Sequence, residues 1–174
     1  MCSSDLIDRT MNRGAGMISF RNADIKDYMA AHRLWMESGG IGVTSKEDSE
    51  ESIARFLERN RQFCFSALDG DRLVGVVLCG SDGRSGRFYH LVVDPEYRRR
   101  GIGHSLVAHS IEQLKKEGIC GADAVIFREN PANEFWESED FRDRTDLKYR
   151  DILLDEDNEW LNRDKRPGDH DGLK

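Results

Sequence analysis

Apolar positions change period several times along the chain, and each change marks a structural element. Residues 17–21 (Met-Ile-Ser-Phe-Arg) alternate as a half-buried strand does. Asp24 then stands where a helix cap belongs, and Ile25, Tyr28, Met29, His32, Trp35 and Met36 follow at helical spacing. Gly39, Gly40, Ile41 and Gly42 end that run. A second helix is predicted over 48–60, with Ile53, Phe56 and Leu57 on one side and charges elsewhere. Antiparallel strands are predicted at 62–68 and 73–79, joined by Asp69, Gly70 and Asp71, residue types suited to a tight turn. A Gly- and Ser-rich turn at 80–86 leads into an apolar strand at 87–93. The long helix after it buries Leu106, Val107, Ser110, Ile111 and Leu114 and closes at Gly118. Residues 122–127 form a short apolar strand, Asn130 and Pro131 open a short helix through Phe135 and Trp136, and 146–154 reads as a last strand.

The resulting order is β-α-α-β-β-β-α-β-α-β. A long helix between the strands at 87–93 and 122–127 makes a right-handed crossover, which joins parallel strands. The expected fold class is therefore α/β: one mixed sheet with helices on both faces, forming a single domain over 17–154. A chain of 174 residues can bury a substantial core without staples. Residues 1–16 are polar and aperiodic and read as a flexible leader. Residues 155–174 hold seven acids against four basic residues and read as a loose acidic tail. No internal repeat is visible.

The formal charge of −7 argues against a general nucleic-acid or membrane-surface role. Cys2, Cys64, Cys79 and Cys120 form no Cys-x-x-Cys pair, so neither a disulfide framework nor a metal site is expected. Cys64 and Cys79 lie in apolar runs and read as small core residues. No apolar run reaches the length of a membrane span, and 1–16 lacks the apolar centre of a signal peptide. A cytoplasmic setting is the default expectation.

One stretch departs from the acidic character of the rest. Leu91-Val92-Val93-Asp94-Pro95 runs into Arg98, Arg99 and Arg100, then Gly101 and Gly103, then the long helix. Amides at a helix start have no intrahelical partner, and the helix dipole adds partial positive charge there. Glycines let a ligand approach the backbone, and guanidinium groups suit phosphate. A phosphate-bearing ligand is the reading. The dinucleotide fingerprint fails because Leu106 stands at its third glycine, and the Walker pattern of Gly-Lys-Ser/Thr is absent.

Arg98-x-x-Gly101-x-Gly103, with its preceding strand and the Asp94-Pro95-Glu96-Tyr97 turn, resembles the acetyl-CoA pyrophosphate loop of the GNAT N-acetyltransferase superfamily. The likeness extends through the element order from about residue 18 to 154. It implies a splayed sheet whose gap admits the pantetheine arm of acetyl-CoA, with main-chain groups of Leu91, Val92 and Val93 pairing to it. The loop residues Arg98, Arg99, Arg100, Gly101, Ile102, Gly103 and His104 would hold the phosphates. Asn130, Asn133 and Trp136 complete the implied cofactor set.

The activity implied is acetyl transfer from acetyl-CoA to a primary amine of a small molecule or peptide, with a homodimer allowed for by the resemblance. Arg87 and Tyr89 fall where family members place a Glu or His base, and Trp136 falls where many carry an acidic Tyr. His90 has a pKa range suited to proton transfer, but simple alternation points it to the face opposite Tyr89. A bulge in the strand would re-aim it. Tyr89 and His90 are the catalytic candidates. Trp35, Glu37, Gly40 and Ile41 are candidates for the acceptor groove. The missing base and Tyr leave a second reading open: an acyl-CoA-binding module with little turnover. No metal and no nucleic acid are expected.

Overall fold

A computed structural model describes residues 9–10 and 17–163. Its strands are β1 (Arg9–Thr10), β2 (Ile18–Asn22), β3 (Phe65–Asp69), β4 (Arg72–Ser81), β5 (Gly86–Val93) and β6 (Ala122–Ala124). They form one sheet in chain order, antiparallel except for the β5–β6 pair, which is parallel as the crossover requires. Helices α1 (Tyr28–Glu37) and α2 (Glu50–Asn60) cover one face, and α3 (Ile102–Lys116) and α4 (Asn133–Ser138) serve the other. Most of the leader, 1–8 and 11–16, lies outside the described residues. Arg9 and Thr10 pair with Ser19 and Ile18.

Each helix forms where its side chains can be satisfied. Asp24 caps a short 3-10 turn, Ile25–Asp27, that leads into α1. Ser49, not Asp48, caps α2 by accepting the Ser52 amide. On α3 the buried stripe is Ile102, Leu106, Val107, Ser110 and Leu114. Burying each of its large apolar side chains stabilises the fold by about 1.5–3 kcal/mol. Ser110 belongs in that stripe because its hydroxyl donates to Phe63 O at 2.7 Å, tying the helix to the turn before β3. Under α1, Asp27 accepts two bonds from Arg21 at 2.7 and 2.8 Å and one from Ser66 at 2.9 Å. Cys64 and Cys79 are free and buried, and burial pushes the Cys79 thiol up to about 12.

Three expectations toward the C-terminal end do not hold in full. Residues 146–154 take no strand pairing among the described residues, and Ile152 and Leu154 are 80% and 89% exposed. A strand needs an edge to join, and β6 offers only three residues. The predicted strand at 122–127 likewise stops at Ala124, where pairing with Phe88 ends. The described part of the tail, 155–163, is docked rather than loose. Asn162, 2% exposed, accepts from the Val43 amide and donates to Ile41 O. Glu159 O and the Val43 carbonyl continue the contact with Ser45 and Leu161. Acidic composition suggested solvent, but one buried amide side chain anchors the segment.

Candidate active site

The register of β5 against β4 sets the site. Val77 faces Leu91 and Cys79 faces Phe88, so three steps on β5 match two on β4. One extra residue is inserted at Tyr89 and His90, a β-bulge. Before it, Phe88 packs against the α3 face; after it, Leu91 and Val93 do so and Val92 turns to the α1 and α2 face. Simple alternation separates Tyr89 from His90, whereas the bulge turns both toward α1 and α2. Tyr89 meets Phe56 edge-on at 5.3 Å, and His90 lies 5.0 Å from the Trp35 ring.

Beyond Phe88 the two parallel strands part. The Asp94 amide donates to Val74 O across β4, so by alternation the main-chain groups of Leu91 and Val93 point to the open side. A cavity of about 740 Å³ follows that opening. Its walls include Leu91, Val92, Val93, Ala124, Val125 and Ile126.

At one end of the cavity the chain builds an anion cradle. Asp94 caps the Pro95–Tyr97 turn by accepting from the Glu96 amide. Arg99 and Gly101 then take left-handed backbone, φ 64° and 77°, and Gly101 caps α3. The amides of 99–104 fall in this turn and helix start. None of them donates to an acceptor among the described residues, since the first helical bond runs from Ser105 to Gly101 O. Gly103 lies so near Phe135 that a Cβ would sit 3.2 Å from its ring. These features fit a diphosphate bound by backbone amides at a helix N-terminus.

Of the residues singled out in the sequence, Tyr89, Leu91, Val92, Val93, Arg98, Arg99, Gly101, Ile102, Gly103, His104, Asn130, Trp136, Gly40 and Ile41 share this one cavity wall. Five others lie elsewhere. Arg100 turns away over the Tyr97 ring at 4.9 Å and donates to Glu96 O. Asn133 donates to the carbonyls of Phe127, Arg128 and Asn130, bracing the loop. Trp35 is 1% exposed in the core beneath α1, and Glu37 points to solvent. His90 lines neither this cavity nor the one beside α2.

Within the arginine run the roles separate. Arg98 donates to Val93 O at 3.1 Å and fixes the strand end to the loop. Arg99 has no hydrogen bond or ion pair among the described residues. Asn130 donates to Gly40 O at 2.9 Å and accepts from Ala132, linking the loop after α1 to the loop after β6. Trp136 packs in an aromatic cluster with Phe88, Phe135 and Phe141.

Sequence reading missed Asp48. Its carboxylate holds His90 Nε2 at 2.6 Å and also accepts the Thr44 amide at 2.7 Å. An acid just before a helix looks like a cap, and only the tertiary contact shows otherwise. Among the described residues no cluster of His, Cys, Asp and Glu suits a metal, and no helix is long and apolar enough to cross a membrane.

Residues 28–141 match the Acetyltransferase (GNAT) family. The chain belongs to that family. A mycothiol acetyltransferase of Clavibacter sepedonicus is 27% identical over 146 residues, which is 82% of this chain and 48% of that protein. An acetyltransferase of Yersinia pseudotuberculosis is 31% identical over 85 residues, 49% of this chain and 60% of that one. The chain thus spans about half to three fifths of the length of these relatives. Among solved structures, the PaiA N-acetyltransferase of Thermoplasma acidophilum in complex with coenzyme A superposes with TM-score 0.61 at 19% identity, over 81% of this chain and 94% of that one. An aminoglycoside acetyltransferase from an uncultured soil sample, in complex with sisomicin, gives 0.64 at 17% identity, over 79% and 97%. At such identities the structures share the GNAT fold with this chain.

Proposed function

We propose that this GNAT chain is an acetyl-CoA-dependent N-acetyltransferase whose acceptor is a primary amine of a small molecule or peptide. The observation that carries the reading is the run of amides at 99–104 that have no acceptor among the described residues, set at the mouth of a cavity along the open edge of β5. Those amides and the Arg99 guanidinium would hold the coenzyme's diphosphate, and the main chain of Leu91 would pair with its pantetheine arm. The acetyltransferases among its relatives support the same assignment.

Bound there, acetyl-CoA supplies an acetyl group activated as a thioester; it passes to the amine as the C–N bond forms and the C–S bond breaks, the amine's proton ending on the thiol. The acceptor nitrogen must be neutral to attack, so the protein has to remove a proton from it. A neutral His90 that donates Nε2–H to Asp48 keeps Nδ1 as its acceptor, and a water would carry the proton to it. Burial raises the Tyr89 pKa, so its phenol stays protonated, and its place in the cavity wall suits it to donate to the departing sulfur. Tyr89 thereby substitutes for the acid that Trp136 cannot provide.

Incubation with acetyl-CoA and a panel of primary amines, following free thiol, should give amine-dependent turnover. A protein that binds coenzyme A yet releases no thiol with any amine would leave the second reading, a module that holds acyl-CoA without turnover. One observation favours that second reading: His90 reaches neither cavity, so its proton path needs water.

A further inference from the structure

A second cavity, of about 700 Å³, opens on the α2 side of the sheet. Arg55, Phe56 and Arg59 of α2 face Arg87 and Tyr89 of β5 and Asp123 of β6 across it. Tyr89 belongs to the walls of both cavities, so this cleft adjoins the splay from the other face of β5.

Its charges do not follow those of the molecule. The chain carries −7, yet three arginines line this cleft against two acids, Asp82 and Asp123. Both acids are engaged. Asp123 accepts from Arg87 Nε at 2.6 Å and Nη2 at 3.3 Å, and Asp82 accepts the amides of Arg84 and Ser85. Arg55 leans on Glu51 at 2.9 Å and on Ser52. Arg59, one turn further along α2, has no hydrogen bond or ion pair among the described residues. The edge-on Phe56 and Tyr89 rings form an apolar wall beside these guanidinium groups.

Resting on the acetyl-transfer reading, we propose that this cleft takes the acceptor and that the acceptor amine carries an anionic group, a carboxylate or a phosphate, received by Arg59 with Arg55. The guanidinium fork matches either oxyanion. The apolar wall takes the stem between anion and amine, and Tyr89 marks the side from which the nitrogen reaches the splay. A polycationic acceptor is disfavoured by the same charges.

Matched acceptors test this in steady-state thiol release: glycine against glycinamide, phosphoethanolamine against ethanolamine, and an aminoglycoside as the cationic case. The anionic member of at least one pair should have a KM at least tenfold lower, and which pair shows it separates carboxylate from phosphate. Arg59→Glu should raise that KM at least tenfold, Arg59→Lys less, with coenzyme A affinity and melting temperature unchanged. Equal or better use of the uncharged member in both pairs, or of the aminoglycoside over both anionic acceptors, overturns the proposal while acetyl transfer stands. Should no amine turn over, calorimetry of N-acetylglycine and N-acetylphosphoethanolamine on the coenzyme A-loaded protein decides. Binding weakened at least tenfold by Arg59→Glu supports the anion cleft, and no binding overturns it.

Discussion

The two faces of β5 are built from different materials. Toward α3, the groups that matter are main-chain amides, generated by a turn, two left-handed residues and a helix start within residues 94–104. Toward α1 and α2, they are side chains gathered from afar. His90 and Asp48 are 42 residues apart, and the arginine cleft draws on α2, β5 and β6. A site made from the end of one element is encoded locally and tolerates changes that spare its backbone. A site made from side chains of several elements depends on the register of the whole sheet, here on one inserted residue in β5.

The sharpest way to break this contrast is on the side-chain face. A positioned general base contributes roughly 10²–10⁴-fold, so His90→Ala should lower kcat by about 100-fold or more with coenzyme A affinity unchanged. Asp48→Asn should act in the same direction and less. An unaltered pH–rate profile in His90→Ala would make His90 a bystander.

Asp27, on the same face, tests stability. Removing one partner of a largely buried ion pair costs about 3 kcal/mol, the loss expected in urea denaturation of Asp27→Ala. Burial raises its carboxyl pKa, but Arg21 and Ser66 outweigh that and hold it below the ordinary value. A depressed folded pKa means the stabilisation is present above about pH 4 and lost as pH falls through the folded value. Asp27→Asn should therefore flatten the acid limb of stability against pH; a limb of unchanged slope would refute the linkage.

On the main-chain face, Gly101→Glu forces an L residue into left-handed backbone at roughly 1–2 kcal/mol and sets a carboxylate beside the diphosphate. Coenzyme A affinity by calorimetry should fall about 100-fold, and an unchanged value would misplace the cradle. Arg100→Ala, outside the cavity, should leave affinity as it is.

Smaller effects sharpen the picture at the periphery. Asn162→Ala should destabilise by about 1–3 kcal/mol, the cost of unsatisfied buried partners, where a loose tail would give no change. Asp140 ends α4 at φ 64°. Asp140→Gly should stabilise by up to about 1 kcal/mol in thermal unfolding, and destabilisation would mean the carboxylate has a structural role.

Local sequence was enough to give the order of the elements from β2 to α4, the mixed sheet, the crossover and the loop from Asp94 to Gly103. Helical and strand periods, caps and turn residues act over a few neighbours, and a cradle of backbone amides needs nothing further away. Only the tertiary structure decided which side chains meet. The side chains of Arg100 and Asn133 were expected at the cofactor and brace loops instead, while Asp48, expected only as the start of a helix, holds a histidine. Asn162 looked like tail and is core. Residues 146–154 read as a strand but find no edge long enough to receive them. Periodicity says what kind of face a residue seeks; the partner on that face is chosen by chain segments dozens of residues away.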